Sequence, residues 1–213
     1  MNYNQKNKII SLYESRYKEL GYNIQTVGWG SVESQQLRFK ILTDIADLKN
    51  FSICDIGCGF GDLYPYLINY FSNVNYTGID LCGKLIEEAK RRYPDCRFEQ
   101  FDILEKNFNE KFDYVFCSGA LNYKTNNHES YIWEMLKSMY DLCKHGLAVN
   151  FLSTYVDYQE KKDFHFKPEI GLSMAKQLSK WVTIRHDYPL YEFTLYIYRK
   201  PLYIKGGHSS LLE

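Results

Sequence analysis

Apolar positions recur at helical spacing through residues 5–20, at Ile9, Ile10, Tyr13, Tyr17 and Leu20, and predict an amphipathic helix ended by Gly21. Residues 22–30 read as a loop closing on Val27-Gly28-Trp29-Gly30. Ser31, with Glu33 and Ser34 behind it, opens a second helix through Gln35, Leu37, Phe39, Leu42 and Ile45. The pattern then changes. Apolar runs at residues 52–56, 74–80, 98–103 and 112–118 predict strands, with helix starts at Leu63 and Cys82 between them. An amphipathic helix spans 130–144, stopped by His145-Gly146, and a fifth strand covers 147–152. Residues 153–167 form an insert, and Pro168 opens a helix to about Leu178. Residues 181–186 and 192–199 predict a closing antiparallel hairpin. There is no internal repeat and no low-complexity linker. The chain divides into an N-terminal helical cap (1–50), one α/β domain (51–200) and a tail (201–213) whose Gly206-Gly207 suggests a loose end.

The first of these strands carries the most chemistry. Asp55-Ile56-Gly57-Cys58-Gly59-Phe60-Gly61 is a strand end followed by a glycine turn and a helix start. Glycines allow positive φ and let backbone approach a ligand. The second strand ends on Asp80, 19 residues beyond Gly61, where an acid can accept both hydroxyl hydrogens of a ribose. Asp80 would also serve as a helix N-cap. Asp102 ends the third strand, beside where an adenine would lie, and Ser118 ends the fourth. Open α/β sheets bind ligands along this carboxyl edge. A nicotinamide dinucleotide fits less well. Its fingerprint sets the third glycine three residues after the second, whereas here the interval is two and residue 62 is Asp.

In the order and spacing of these motifs, from about Phe51 to Arg199, the chain resembles the class I S-adenosylmethionine-dependent methyltransferases. The resemblance implies a Rossmann-like, seven-stranded sheet, parallel except for an antiparallel last strand, flanked by helices. It implies S-adenosylmethionine as cofactor and S-adenosylhomocysteine as product. Gly57, Gly59 and Gly61 would pack against the cofactor's methionine and ribose, with Cys58 and Ser118 beside them. Asp55 would hold the amino group or the loop. Asp80 would take the ribose hydroxyls, and Asp102 the adenine amino group, with Leu81 and Ile103 against the ring. N-terminal extensions in this superfamily often cover cofactor and substrate.

Methyl transfer asks mainly for proximity, alignment and desolvation, so the site need not contain a triad. Asn122 and Tyr123, directly after the fourth strand, are the first candidates for acceptor contact, followed by Asn150, Ser153 and Tyr155. His128 and His165 are candidate bases, because histidine titrates near neutrality. His186 reads as a packing residue. Gln35 and Arg38 share a helix face. Arg38 is a candidate to grip the methionine carboxylate by a two-point contact, and Trp29 or Tyr17 to cover the sulfonium. Ser118-Gly119-Ala120-Leu121 differs from the Asn/Asp-Pro-Pro-Tyr motif of methyltransferases acting on base amines or glutamine.

Composition narrows the partners. Twenty-six basic and 26 acidic residues balance to zero net charge, which provides no field for nucleic acid. The six cysteines include no Cys-x-x-Cys pair, so no metal is expected. The polar N-terminus is unlike a signal peptide and no run approaches a membrane span, so a cytoplasmic location is expected. Aromatic residues make up 17% of the chain, which suggests an aromatic-lined pocket. The expected function is methyl transfer to O, N, C or S of a small molecule. The alternatives are cyclisation or cleavage of the cofactor itself, releasing methylthioadenosine, and non-catalytic cofactor binding. Oligomeric state is not legible.

Overall fold

Apolar runs too short for helices become the strands of a single sheet. The computed structural model describes residues 3–105 and 108–202, so the Gly206-Gly207 tail lies outside the described residues. Helices α1 (Tyr3–Leu20) and α2 (Val32–Thr43) precede strand β1 (Ser52–Ile56). Then come α3 (Leu63–Tyr70), β2 (Asn75–Asp80), α4 (Gly83–Arg92), β3 (Arg97–Gln100) and β4 (Phe112–Cys117). The chain continues through α5 (His128–Leu142), β5 (Cys143–Leu152), α6 (Pro168–Leu178), β6 (Trp181–Arg185) and β7 (Glu192–Tyr198).

The strand order is β3-β2-β1-β4-β5-β7-β6. β1 to β5 pair in parallel, and β7 runs antiparallel between β5 and β6. The chain leaves β1 toward β2 on one side and returns to β4 on the other. That reversal opens a crevice above the carboxyl ends of β1 and β4. β1 and β7 are buried almost throughout, as strands covered on both faces must be. One face packs on α5 and α6 through Ile132, Leu136, Met139 and Ala175. The other packs on α2, α3 and α4 through Phe39, Leu42, Leu67 and Ile86.

Several boundaries differ from the periodicity. β3 stops at Gln100 rather than running to residue 103, because the Asp102 side chain accepts the Leu104 N–H at 2.9 Å and turns the backbone. α5 stops at Leu142, and Lys144, His145 and Gly146 belong to β5 rather than to a helix end. Lys144 and His145 face Asp113 of the neighbouring strand, at 3.4 and 3.7 Å. The N-terminal 50 residues play two parts. α2 joins the layer under the sheet, where Tyr198 donates to the Ile45 carbonyl at 3.3 Å and Tyr196 to that of Ile41. α1 buries no residue fully and lies across the crevice. Among the described residues no helix is long and apolar enough to cross a membrane.

Candidate active site

The turn after β1 is shaped by its glycines. Gly57 has φ +75°, and a Cβ there would lie 2.3 Å from the Ala120 Cβ, so only glycine admits the loop after β4 this close. The Gly57 and Cys58 amides both donate to the Ile79 carbonyl, at 2.7 and 3.1 Å. Gly57, Cys58 and Gly59 line a cleft enclosing about 1100 Å³ including its open mouth. Gly61 does not line it. The Phe98 ring fills the space where its Cβ would stand, at 2.6 Å, so this glycine serves packing of the turn on β3.

Four aspartates face the cleft: Asp55, Asp62, Asp80 and Asp102. Asp80 accepts the Gly59 N–H at 2.9 Å and the Cys82 N–H at 2.8 Å, tying the glycine turn to the start of α4. Burial pushes its carboxyl up, against the pull of those amides. Asp55 lies beneath the turn, 3% exposed, and accepts the Tyr76 hydroxyl at 2.8 Å. Burial pushes it up to about 7, with the Tyr76 bond acting in the opposite sense. Asp102 is met from α1 by Lys6, whose Nζ lies 2.8 Å from it and 3.0 Å from Glu105. Leu81 and Ile103 line the same wall.

The second helix gives mixed results. Gln35 is buried, lines the cleft and donates to Asp62 at 3.4 Å. Trp29 lines the cleft, against Gly119. Arg38 does not: its guanidinium makes the two-point contact with Glu192 instead, at 2.8 and 2.9 Å from Nε. Tyr17 also lies off the cleft, donating to Glu88 at 3.1 Å, and Tyr13 one turn earlier takes the cleft position.

The candidates after β4 turn out to be loop anchors. Asn122 accepts the Leu152 N–H at 3.2 Å through its side chain and the Phe164 N–H at 2.7 Å through its carbonyl. Tyr123 bridges Asp163 of the insert. Neither residue lines the cleft, and nor does His165. His128 is 4% exposed and its ring lies 4.1 Å from that of Phe164. The Thr125 N–H approaches its Nδ1 at 3.1 Å, which leaves Nε2–H to donate to the Leu121 carbonyl at 2.8 Å. Both nitrogens are committed and burial lowers the pKa, so this ring is a neutral strut rather than a free base. Its contribution to stability is therefore fully present above the ordinary imidazole range and lost as pH falls below about 6.5. Denaturant titrations from pH 8 to 5 should show that loss, and His128→Gln should flatten it. Asn150 and Ser153 are buried, the latter accepting the Tyr155 N–H at 3.1 Å, and Tyr155 donates to Glu169. The His186 ring lies 5.9 Å from that of Tyr155 and 6.2 Å from Phe193, a packing position.

Ser118 is different. Its Oγ is enclosed, without a hydrogen-bond partner, in a residue that lines the cleft. Buried hydroxyls are normally paired, so the cleft fits an occupant that supplies the partner. Sequence reasoning missed the opposite wall, built by Ile9, Ile10 and Tyr13 of α1 with Tyr131 and Met135 of α5. Their apolar stripes were legible, but not that the two helices line the same cleft.

A glycine turn under positive φ, an acid ending β2 and an orphaned hydroxyl at the β4 end, on this strand order, fit S-adenosylmethionine. The chain is a class I S-adenosylmethionine-dependent methyltransferase. Residues 53–146 match the methyltransferase domain family. A putative methyltransferase of Mycobacterium tuberculosis is 29% identical over 154 residues, 69% of this chain and 92% of that protein. Trans-aconitate 2-methyltransferase of Escherichia fergusonii is 30% identical over 77 residues, which span 36% of this chain and 31% of that enzyme. The fold is similar to that of magnesium protoporphyrin IX methyltransferase from Synechocystis with bound S-adenosylmethionine. The TM-score is 0.67 at 18% identity, over 92% of this chain and 97% of that one.

Proposed function

We propose that this methyltransferase acts on a small, neutral or cationic molecule with an apolar body, held in the cleft beside the cofactor. The observation that carries this is the cleft lining. Its walls are aliphatic and aromatic, and its charged lining residues, among those described, are four aspartates. Their shared sign disfavours a polycarboxylate acceptor such as the one named for the trans-aconitate enzyme. The balanced charge of the chain also fits a small acceptor better than nucleic acid.

When bound, S-adenosylmethionine supplies an activated methyl group together with its own leaving group. In this reading Asp80 takes the ribose hydroxyls, and Asp102, shared with Lys6, takes the adenine amino group. Leu81 and Ile103 flank the ring. Asp55 faces the methionine amino group, and Gln35, Trp29 and Ser118 border the methionine end. Each aspartate already accepts a hydrogen bond from the protein, so these residues hold and orient rather than carry protons.

Asp55 makes binding sensitive to pH. Its ionised form suits a cationic ligand, so affinity for S-adenosylmethionine should fall as pH drops below about 7. In the free chain the sign reverses. Stability from a carboxyl held neutral is full at low pH and is lost as pH rises through that value. Calorimetric titration from pH 6 to 8 should show the binding trend, and Asp55→Asn should abolish it.

The function itself is tested by mass spectrometry. The purified chain is incubated with S-adenosylmethionine alone and then with a metabolite pool. S-adenosylhomocysteine only with the pool, together with a metabolite one methyl heavier, supports the proposal. Methylthioadenosine formed without an acceptor points instead to cleavage or cyclisation of the cofactor, and methylation confined to an added nucleic-acid fraction overturns the acceptor class.

A further inference from the structure

A closed ring of contacts runs behind one wall of the cleft. Glu192, the first residue of β7, is 1% exposed. Arg38 of α2 reaches both its carboxylate oxygens, with Nε at 2.8 and 2.9 Å and Nη2 at 2.5 Å. The same guanidinium lies 4.5 Å from the centre of the Trp29 ring. Trp29 abuts Gly119, where a Cβ would stand 2.3 Å from the indole. The Gly119 N–H donates to Asn150 Oδ1 at 2.8 Å, and Asn150 Nδ2 donates to Glu192 Oε2 at 2.8 Å. Trp29, Ser118 and Gly119 line the cleft, whereas Arg38, Asn150 and Glu192 stand behind them.

The ring sets direction as well as distance. The two ends of an Asn amide have nearly the same shape, so packing alone does not decide which end of Asn150 meets Gly119. Glu192 decides it. Its carboxylate only accepts, so the Asn150 NH₂ turns toward it and the amide oxygen is left for the Gly119 N–H. The other carboxylate contacts hold the Arg38 guanidinium over the Trp29 ring. One buried charge therefore fixes two residues that touch each other at the cleft, and with them Ser118 and its unpaired hydroxyl. Burying an ion pair is costly, and well-packed apolar side chains often replace one without loss.

We propose that Glu192 is a positioning residue for cofactor binding: through Asn150 and Arg38 it sets the Ser118–Gly119 and Trp29 wall against which the ligand lies. The test moves the charge by one place. In Glu192→Gln, whichever way the new amide turns, an NH₂ faces Arg38 or Asn150 and one donor meets another. In Asn150→Asp, two carboxylates face each other. In the double variant, the carboxylate now at position 150 accepts from the Gly119 N–H and from the amide now at position 192. That amide turns its oxygen to Arg38, so each link of the ring again has a donor and an acceptor, and only the second Arg38 Nε contact, to the Oε2 position at 2.9 Å, is given up.

Affinity for S-adenosylmethionine is read by calorimetry on chains whose folding is checked by thermal melting. Each single variant should bind at least tenfold more weakly, and the double variant should return to within about threefold of wild type. A purely structural role would lower the melting temperature and leave the affinity of the folded fraction unchanged. Folded single variants with wild-type affinity, or a folded double variant as weak as its parents, would overturn the proposal. Should a single variant fail to fold, Arg38→Lys takes its place. It keeps the buried charge neutralised but loses the two-point contact and the stack on Trp29. It should bind at least fivefold more weakly, and wild-type affinity would equally refute the role of Glu192.

Discussion

Replacing Gly57 by alanine should remove cofactor binding and cost several kcal/mol of stability. Two effects add. The backbone there has φ +75°, a left-handed conformation that costs a residue bearing a Cβ about 1–2 kcal/mol. The new methyl group would also lie 2.3 Å from the Ala120 Cβ, far inside contact distance, and such overpacking typically costs about 1–3 kcal/mol. Relief requires the turn and the loop after β4 to separate, which opens the wall formed by Gly57, Ser118 and Gly119. Urea titration and calorimetry with S-adenosylmethionine measure both losses. The combination Gly57→Ala with Ala120→Gly tests the account, since it removes the collision but keeps the strained backbone. It should recover part of the stability and not all of it. A single variant as stable as wild type would show that the loop after β4 yields freely.

Asp80→Ala should weaken S-adenosylmethionine binding by about 1–3 kcal/mol, roughly fivefold to 150-fold, because a charged hydrogen-bonding partner is lost from a buried site. The structure adds a second consequence that the strand pattern alone did not suggest. The carboxylate also accepts the Gly59 and Cys82 amides, so its removal leaves two backbone donors unpaired at the turn and at the entry to α4. Losses of this kind at helix starts amount to about 1 kcal/mol. Asp80→Asn keeps one acceptor oxygen and should fall between. Separating the roles takes two titrations on the same variant, one with denaturant and one with cofactor. Affinity unchanged in a destabilised variant would mean that Asp80 only braces the loop and that the ribose is held elsewhere.

The strand ends beside Gly57, Asp80 and Ser118 were readable because each is announced by its neighbours, whereas Asp102 falls two residues past the end of β3. Apolar runs of strand length stop at a glycine or an acid, and sheet topology brings such stops to one edge. The residues behind them were much less readable. Arg38 has the chemistry to grip a carboxylate and does so, but the carboxylate belongs to Glu192, 154 residues away. His128 looks like a base until Leu121 and Thr125 are seen to occupy both nitrogens. Asn122 lies five residues beyond the end of β4, yet it faces Leu152 and the insert rather than the cleft.

Periodicity, glycine turns and strand-ending acids depend on a few adjacent residues, so the chain by itself determined the α/β order and the seven strands. Which helix lies across the cleft, which polar groups are already paired, and which hydroxyl is left without a partner depend on contacts between residues far apart in sequence. Only the packed structure decided those, because a polar side chain bonds whichever partner packing brings within about 3 Å, and nothing in its local sequence encodes which partner that will be.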